Sequence, residues 1–151
     1  MNYTSVVRGT FLQRLNRFAA KVDIGGRAEV VHVKNTGRLR ELLEPGAPVY
    51  LECAGNPARK YRYSLIAVEK NGILVNIDSQ APNAVVYEAL RDGNVKELGD
   101  IRTLKREAAY GQSRFDLYVE GDGGPGFIEV KGVTLAKGDL ALFPDAPTAR
   151  G

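Results

Sequence analysis

Alternating apolar and polar residues, interrupted by frequent turn signals, fill the first 80 residues of the chain. Short alternating runs bounded by glycine, proline and asparagine are typical of β-strands. Gly25-Gly26, Pro45-Gly46 and Asn71-Gly72 mark tight turns between the runs. The pattern predicts strands at residues 18–24, 28–33, 48–53, 61–69 and 73–77, with one short helical turn at 38–43. Five strands in about 80 residues favour a small closed barrel such as the OB fold.

The pattern changes at Ala81-Pro82-Asn83, and we place a domain boundary near Gln80. Residues 84–90 have helical composition, with Asn83 as a plausible N-cap. Strand-like stretches follow at residues 104–110, 115–120 and 127–134. The prediction is an α+β protein in which residues 1–80 form a barrel and residues 81–151 form a second domain.

The net charge of +3 is too small to define a partner, but its distribution is uneven. Residues 1–80 carry 12 lysines and arginines against 7 acids, whereas residues 81–151 carry 9 against 11. The first part could attract a polyanion, although ordinary surface charge accounts for the numbers equally well. No apolar run approaches the roughly 20 residues of a membrane span, the first residues do not resemble a signal peptide, and Cys53 is the only cysteine. We therefore expect a cytoplasmic protein with no membrane partner.

Two carboxylates and a lysine form the most informative chemical pattern. If Glu120 lies opposite Phe127 in a hairpin, Asp116 lies opposite Lys131 and diagonal to Glu129, on one face of the sheet. Asp116 and Glu129 could then hold Mg²⁺, with Mn²⁺ as a substitute, and Lys131 could stabilise negative charge in a phosphodiester hydrolysis. The alternative is a solvent-exposed hairpin with a simple ion pair. Glu107 would share the acidic face, but we favour a strand-edge role for it.

Basic and aromatic residues are interleaved in the first domain, as in barrels that bind nucleic acid through phosphates and stacked bases. Residues 58–63, read as a strand, would place Lys60 and Arg62 on one face. The alternative is that the aromatic rings belong to the core, which we favour for Phe18. We also favour an ordinary strand role for His32. The candidate DNA contacts are Arg17, Lys34, Arg38, Arg59, Lys60, Tyr61 and Arg62.

Several stretches, taken in order, resemble the sugar fermentation stimulation protein A family. They are RLNRFAAKV (14–22), HVKNTGRLRELLEPG (32–46), RKYRYSL (59–65), VNIDSQAPN (75–83), LKREAAYGQSRFDLYV (104–119), IEVKGVTL (128–135) and FPDAPTARG (143–151). The resemblance implies an OB-like N-terminal domain followed by a PD-(D/E)xK nuclease-type domain. It also implies DNA binding, with a regulatory link to sugar use.

The family's D…E-x-K motif carries over to Asp116, Glu129 and Lys131, with Phe115 where the motif has proline. Family members continue well past residue 151, so the resemblance implies a partial nuclease-type domain here. We expect its sheet to expose apolar surface, so that the chain either self-associates or holds its second domain loosely while the barrel stays folded. Three functions stay open: a DNA-binding protein, a Mg²⁺-dependent DNA nuclease, or a structural β-protein with no nucleic-acid partner.

Overall fold

The computed structural model describes residues 1–56, 58–137 and 140–142. Residues 2–79 make up most of one compact unit and residues 80–135 most of a second. In the described part of the chain, no helix combines the length and the apolar character that crossing a membrane requires. The resembling stretch at 143–151 lies outside the described residues.

The first unit is a closed antiparallel barrel with one parallel pairing. Its strands are β1 (Val6–Asn16), β2 (Ala19–Ile24), β3 (Arg27–Val33), β4 (Pro48–Cys53), β5 (Tyr63–Lys70) and β6 (Ile73–Asn76). They follow the order β3-β2-β1-β4-β5-β6, and the sheet closes where β3 pairs with β5 in parallel at His32↔Ser64 and Val33↔Leu65. The predicted OB-like barrel is confirmed. Closure leaves β6 outside the ring, paired only with β5.

Side chains that point inward from these strands fill the barrel. Phe11, Val22 and Leu51 are almost completely buried, and they belong to one continuous apolar cluster. The predicted helical turn is a single turn, in which the Leu43 amide donates to the Leu39 carbonyl at 2.8 Å. It adds leucine side chains to the same cluster and thereby closes one end of the core.

Strand β1 has no counterpart among the predicted strands, although it is 11 residues long. More and less exposed residues alternate from Val6 to Phe11. The pairing with β2 is irregular between Phe11 and Gln13 and again between Arg14 and Asn16, so the alternation is lost in the second half of the strand. Gly9 is required at its position, because a Cβ there would lie 2.7 Å from the Asp23 carbonyl oxygen. The regular first half of the strand therefore places Phe11 in the core, while its second half follows no hydrophobic period.

The second unit contains one helix and a three-stranded sheet. Its elements are α1 (Ala81–Arg91), a 3-10 turn (Lys96–Leu98), β7 (Ile101–Tyr110), β8 (Ser113–Gly121) and β9 (Gly124–Ile128). Outside this sheet, the short strands β10 (Leu135–Lys137) and β11 (Leu140–Leu142) pair with one another. The N-cap of α1 is Gln80, with Pro82 in the first turn, so the predicted cap at Asn83 is wrong. Proline is tolerated there because the first-turn amides have no partner within the helix.

Helix α1 covers more of the sheet than the sequence suggested, because it begins three residues earlier than predicted. Leu90 packs on the buried side chains of Leu117 and Val119, so the expected exposure of this apolar face is not found. Exposure occurs instead in an aromatic cluster, where Tyr110 is 67% and Phe127 38% exposed. The rings of Tyr110, Phe115 and Tyr118 lie 4.9–5.3 Å from that of Phe127.

Candidate metal and nucleic-acid sites

Asp116 lies on β8 at the meeting point of three chain segments. Its Oδ2 accepts a hydrogen bond from the Val130 amide at 2.8 Å, and its Oδ1 accepts one from the Asn83 side-chain amide at 2.7 Å. Asn83 belongs to the first turn of α1, and Val130 follows β9. Two donors thus fix the carboxylate on the segment that connects Glu129 to Lys131.

The β8–β9 register differs from the predicted one by two residues. Tyr118 lies opposite Phe127 and Glu120 opposite Pro125, so the predicted pairing of Asp116 with Lys131 is wrong. A tight turn with Gly121 paired to Gly124 sets this register. Strand β9 ends at Ile128, so Glu129 and Lys131 lie in the segment after it, not in the predicted strand over 127–134.

Glu129 and Lys131 form an ion pair with one another. The Lys131 Nζ donates to the Glu129 Oε1 at 2.7 Å, and both side chains are about half exposed. Glu107 is directed elsewhere, since it pairs with Arg114 at 2.9 Å. The described residues contain no group of three or more metal-ligating side chains close enough to hold an ion.

Asp116 and Glu129 are the two carboxylates of this region, and a hard divalent cation takes such oxygen ligands together with water. Carboxylate oxygens each carry a second lone pair, so the hydrogen bonds to Asp116 leave it able to coordinate. Glu129 is exposed enough to turn towards a cation, at the cost of its contact with Lys131. Three residues further along the chain, Gly132 packs against Pro82 so closely that a Cβ on the glycine would lie 2.9 Å from the proline Cγ. The donor set therefore suits Mg²⁺ or a similar ion.

The basic stretch at 58–62 is a surface loop and not part of a strand, because β5 begins only at Tyr63. The predicted separation of its side chains onto two faces is therefore wrong. Arg59, Lys60 and Arg62 are exposed. Tyr61 is half-buried and stacks on His32, with ring centroids 6.3 Å apart and planes 7° apart. Its ring also has the Lys60 ammonium 5.2 Å from its centroid.

His32 occupies a position on β3 that disfavours its charged form. Its Nδ1 is buried and has no hydrogen-bond partner among the described residues. Burial lowers the pKa of His32, and the positive charges of Arg59 and Lys34 lower it further, against an opposing effect of Asp78. The histidine therefore favours the neutral form beside a cationic loop.

Lys34 was expected to contact phosphate, but the structure places it in a largely buried ion pair. Its ammonium donates to the Asp78 Oδ2 at 2.7 Å and lies 3.6 Å from the Glu52 Oε2. The Asp78 side chain is completely buried and also accepts a hydrogen bond from the Tyr3 hydroxyl at 3.3 Å. These contacts make Lys34 a structural residue of the barrel.

Four arginines line a surface pocket of about 380 Å³ beside the β1–β2 turn. They are Arg14, Arg17, Arg38 and Arg40, and we call this site the arginine pocket. Among the described residues, none of the four has a carboxylate within 4.0 Å. Sequence reasoning identified Arg17 and Arg38 but missed the convergence, which depends on the unpredicted strand β1.

Phe18 lies in the β1–β2 turn, directly after the pocket residue Arg17. The sequence favoured a core role for it, but the side chain is 53% exposed, so that interpretation is wrong. Its backbone explains the position, because the amide donates to the Asn16 side chain and the carbonyl accepts from the Val33 amide. The turn is thus held in place while the ring points outward.

Comparison with known proteins adds to this geometry. The description "SfsA N-terminal OB domain" fits residues 12–77, and "Sugar fermentation stimulation protein RE domain" fits residues 80–151. The chain belongs to the sugar fermentation stimulation protein family. The resemblance seen in the sequence is thereby confirmed.

Two relatives and one solved structure show how much of the family's length is present. The sugar fermentation stimulation protein homologues of Alkaliphilus oremlandii and Desulfitobacterium hafniense are 56% and 52% identical, over 100% of this chain and 66% and 65% of theirs. The chain thus spans slightly less than two thirds of these relatives. The structure of Pyrococcus furiosus SfsA in complex with Ca²⁺ matches with a TM-score of 0.86 at 33% identity, covering 99% of this chain and 64% of that one.

Proposed function

We propose that this protein binds DNA through cationic side chains on the surface of its barrel. The observation that carries the proposal is a set of exposed cations with no carboxylate within 4.0 Å among the described residues. The set comprises Arg17, Arg38, Arg59, Lys60 and Arg62. Uncompensated cations attract the phosphates of DNA, and their binding releases the counterions that were condensed on the DNA. This release supplies most of the affinity of a sequence-independent site. A role in regulating sugar use would rest on this binding.

Two of the residues predicted to contact DNA, Lys34 and Tyr61, have partners within the protein. Lys34 is left out, because Asp78 and Glu52 already compensate its charge. Tyr61 is retained only as a neighbour of the loop, because its ring is stacked on His32. The proposed contacts are therefore mainly to phosphate, and sequence preference is expected to be weak.

A second candidate function is hydrolysis of DNA at Asp116 and Glu129. Its support is the fixed carboxylate of Asp116 in a fold whose Pyrococcus furiosus relative was solved in complex with Ca²⁺. Mg²⁺ held there would polarise a phosphate and activate a water. Lys131, released from Glu129 when that carboxylate coordinates, would stabilise the negative charge that develops on the phosphate.

DNA binding can be tested by fluorescence anisotropy of a labelled oligonucleotide over a range of salt concentrations. We expect the 151-residue chain to bind with an affinity that falls steeply as salt rises. The double variant Lys60→Glu/Arg62→Glu should bind more weakly and with a smaller salt dependence, because two phosphate contacts are lost. The control Lys21→Glu/Arg27→Glu makes the same charge change on β2 and β3 and should have a smaller effect. Equal effects of the two variants would contradict the proposed surface.

The metal site can be tested separately by titration calorimetry with Mn²⁺. Asp116→Asn should weaken binding, because one anionic ligand becomes neutral, whereas the exposed Asp122→Asn should not. Lys131→Ala should not weaken metal binding, because it removes the competing partner of Glu129, and it should lower any rate of DNA cleavage, since the lysine acts on the transition state. Equal Mn²⁺ affinity of Asp116→Asn and the parent protein would rule out this site.

A further inference from the structure

The arginine pocket has the features of a specific phosphate subsite. Its four guanidinium groups line one concave space, and Asn16, Thr36 and Gly37 supply the rest of the lining. None of the described residues that line the pocket is acidic. Guanidinium groups are planar donors that match phosphate oxygens, and several around one cavity favour an anion over any neutral ligand.

Arg14 holds the two walls of the pocket together. Its Nη2 donates to the carbonyl oxygens of Arg17 at 2.7 Å and Asn35 at 2.8 Å, and its Nε donates to that of Asn16 at 2.8 Å. These bonds connect the β1–β2 turn with the segment after β3. Arg14 is therefore a positioning residue, whose charge adds to the pocket, while Arg17, Arg38 and Arg40 are exposed and available to a ligand.

An exposed aromatic residue directly follows one of the pocket arginines in the chain. Phe18 directly follows Arg17 in the chain, and its ring is more than half exposed. Exposure of such a ring costs free energy in water, and stacking of a planar base on it would remove that cost. A cationic pocket followed one residue later by an exposed aromatic ring matches the alternation of phosphate and base along a single strand.

We propose that the arginine pocket binds a backbone phosphate of single-stranded nucleic acid while the adjoining base stacks on Phe18. A duplex keeps its bases stacked on one another, so only an unpaired strand can satisfy both features at once. This inference rests on the proposed DNA binding and specifies the form of the ligand. The main contact with nucleic acid would then lie at the β1–β2 turn and not at the basic loop of residues 58–62.

The test compares the affinities of the full chain for a labelled oligothymidine and for a duplex of equal length. Arg38→Gln and Arg40→Gln should each weaken binding of the single strand and reduce its salt slope by roughly 0.7, the value expected for one lost phosphate contact. Arg27→Gln, an exposed arginine at the opposite end of the β2–β3 hairpin, is the matched control and should leave both unchanged. Phe18→Ala should weaken single-strand binding at least about fivefold, whereas Phe18→Tyr should preserve it.

The results separate this inference from the proposed function. If the pocket variants bind the single strand as the parent does, while Lys60→Glu/Arg62→Glu is impaired, the subsite is ruled out and DNA binding stands. Equal losses of duplex and single-strand affinity in Phe18→Ala would also overturn it. If the parent protein binds neither DNA, both proposals fail. Circular dichroism of each variant identifies any loss of affinity that comes from unfolding.

Discussion

Replacement of Asp78 by asparagine tests whether the buried ion pair holds the barrel together. The Asp78 side chain is completely buried, and that of Lys34 is only 16% exposed. Asparagine has nearly the same shape and can still accept a hydrogen bond from Tyr3, so the change removes the negative charge and little else. Lys34 would then keep only Glu52, whose carboxylate oxygen lies 3.6 Å from its ammonium.

The magnitude follows from the burial of the two partners. Removal of one partner from a buried pair costs about 3–5 kcal/mol, because the other charge is left without compensation. The remaining attraction to Glu52 and the partial exposure of Lys34 reduce this cost, so we expect a loss of about 2–3 kcal/mol. Glu52→Gln, which removes the longer and more exposed contact, should cost less than about 1 kcal/mol.

Urea unfolding followed by circular dichroism measures both variants against the parent protein. The expected loss for Asp78→Asn is a large share of the roughly 5–15 kcal/mol that stabilises a typical protein, and it should lower the midpoint without changing the slope. A loss no larger than that of Glu52→Gln would refute the view that Lys34 is structural. Lys34 would then return to the set of candidate phosphate contacts.

Three further changes test other parts of the molecule. The pKa of His32 is lowered in the folded protein. As pH falls through the ordinary value of 6.5, the histidine is therefore protonated in the unfolded chain before it is protonated in the folded one. His32 therefore contributes stability above that pH and loses it below, so His32→Gln should make unfolding less sensitive to acid between pH 7 and 5; an identical pH dependence would contradict this. Gly121→Ala should destabilise the second unit in hydrogen exchange, because its Cβ would collide with the Asp100 carbonyl oxygen, whereas Gly123→Ala meets nothing within 4 Å and is the control. We propose self-association through the exposed aromatic cluster, and Tyr110→Ser should shift sedimentation velocity profiles towards monomer; a parent protein that is already monomeric would refute this.

The sequence predicted the barrel well where burial alternates regularly. Strand β4 was predicted with its exact bounds, and β2 and β3 to within one residue. Strand β1 was missed because its irregular pairing with β2 breaks the alternation and because Leu12 and Leu15 face solvent. Hydrophobic periodicity cannot identify the part of a strand in which register shifts interrupt the alternation.

The candidate metal site was predicted in its residues but not in its geometry. A hairpin's register depends on its turn, and the tight turn between Gly121 and Gly124 moved Glu129 and Lys131 beyond the end of β9. The role of Asn83 as a donor to Asp116 could not be read from the sequence, because it depends on where α1 begins. The arginine pocket was missed for a similar reason, since Arg14 and Arg38 converge only after β1 is placed.

The hydrogen bonds of Tyr3 bear on whether the strands of the barrel could be connected in a different order. The Tyr3 hydroxyl contacts both Asp78 and Asn76, so the first and the last residues of the barrel lie close to one another. A short flexible linker could therefore join them, and the chain could be reopened at Gly25-Gly26, a turn in which an added Cβ meets nothing within 4 Å. The barrel is thus a natural candidate for circular permutation, with all its strand pairings kept and only the order of its strands along the chain changed.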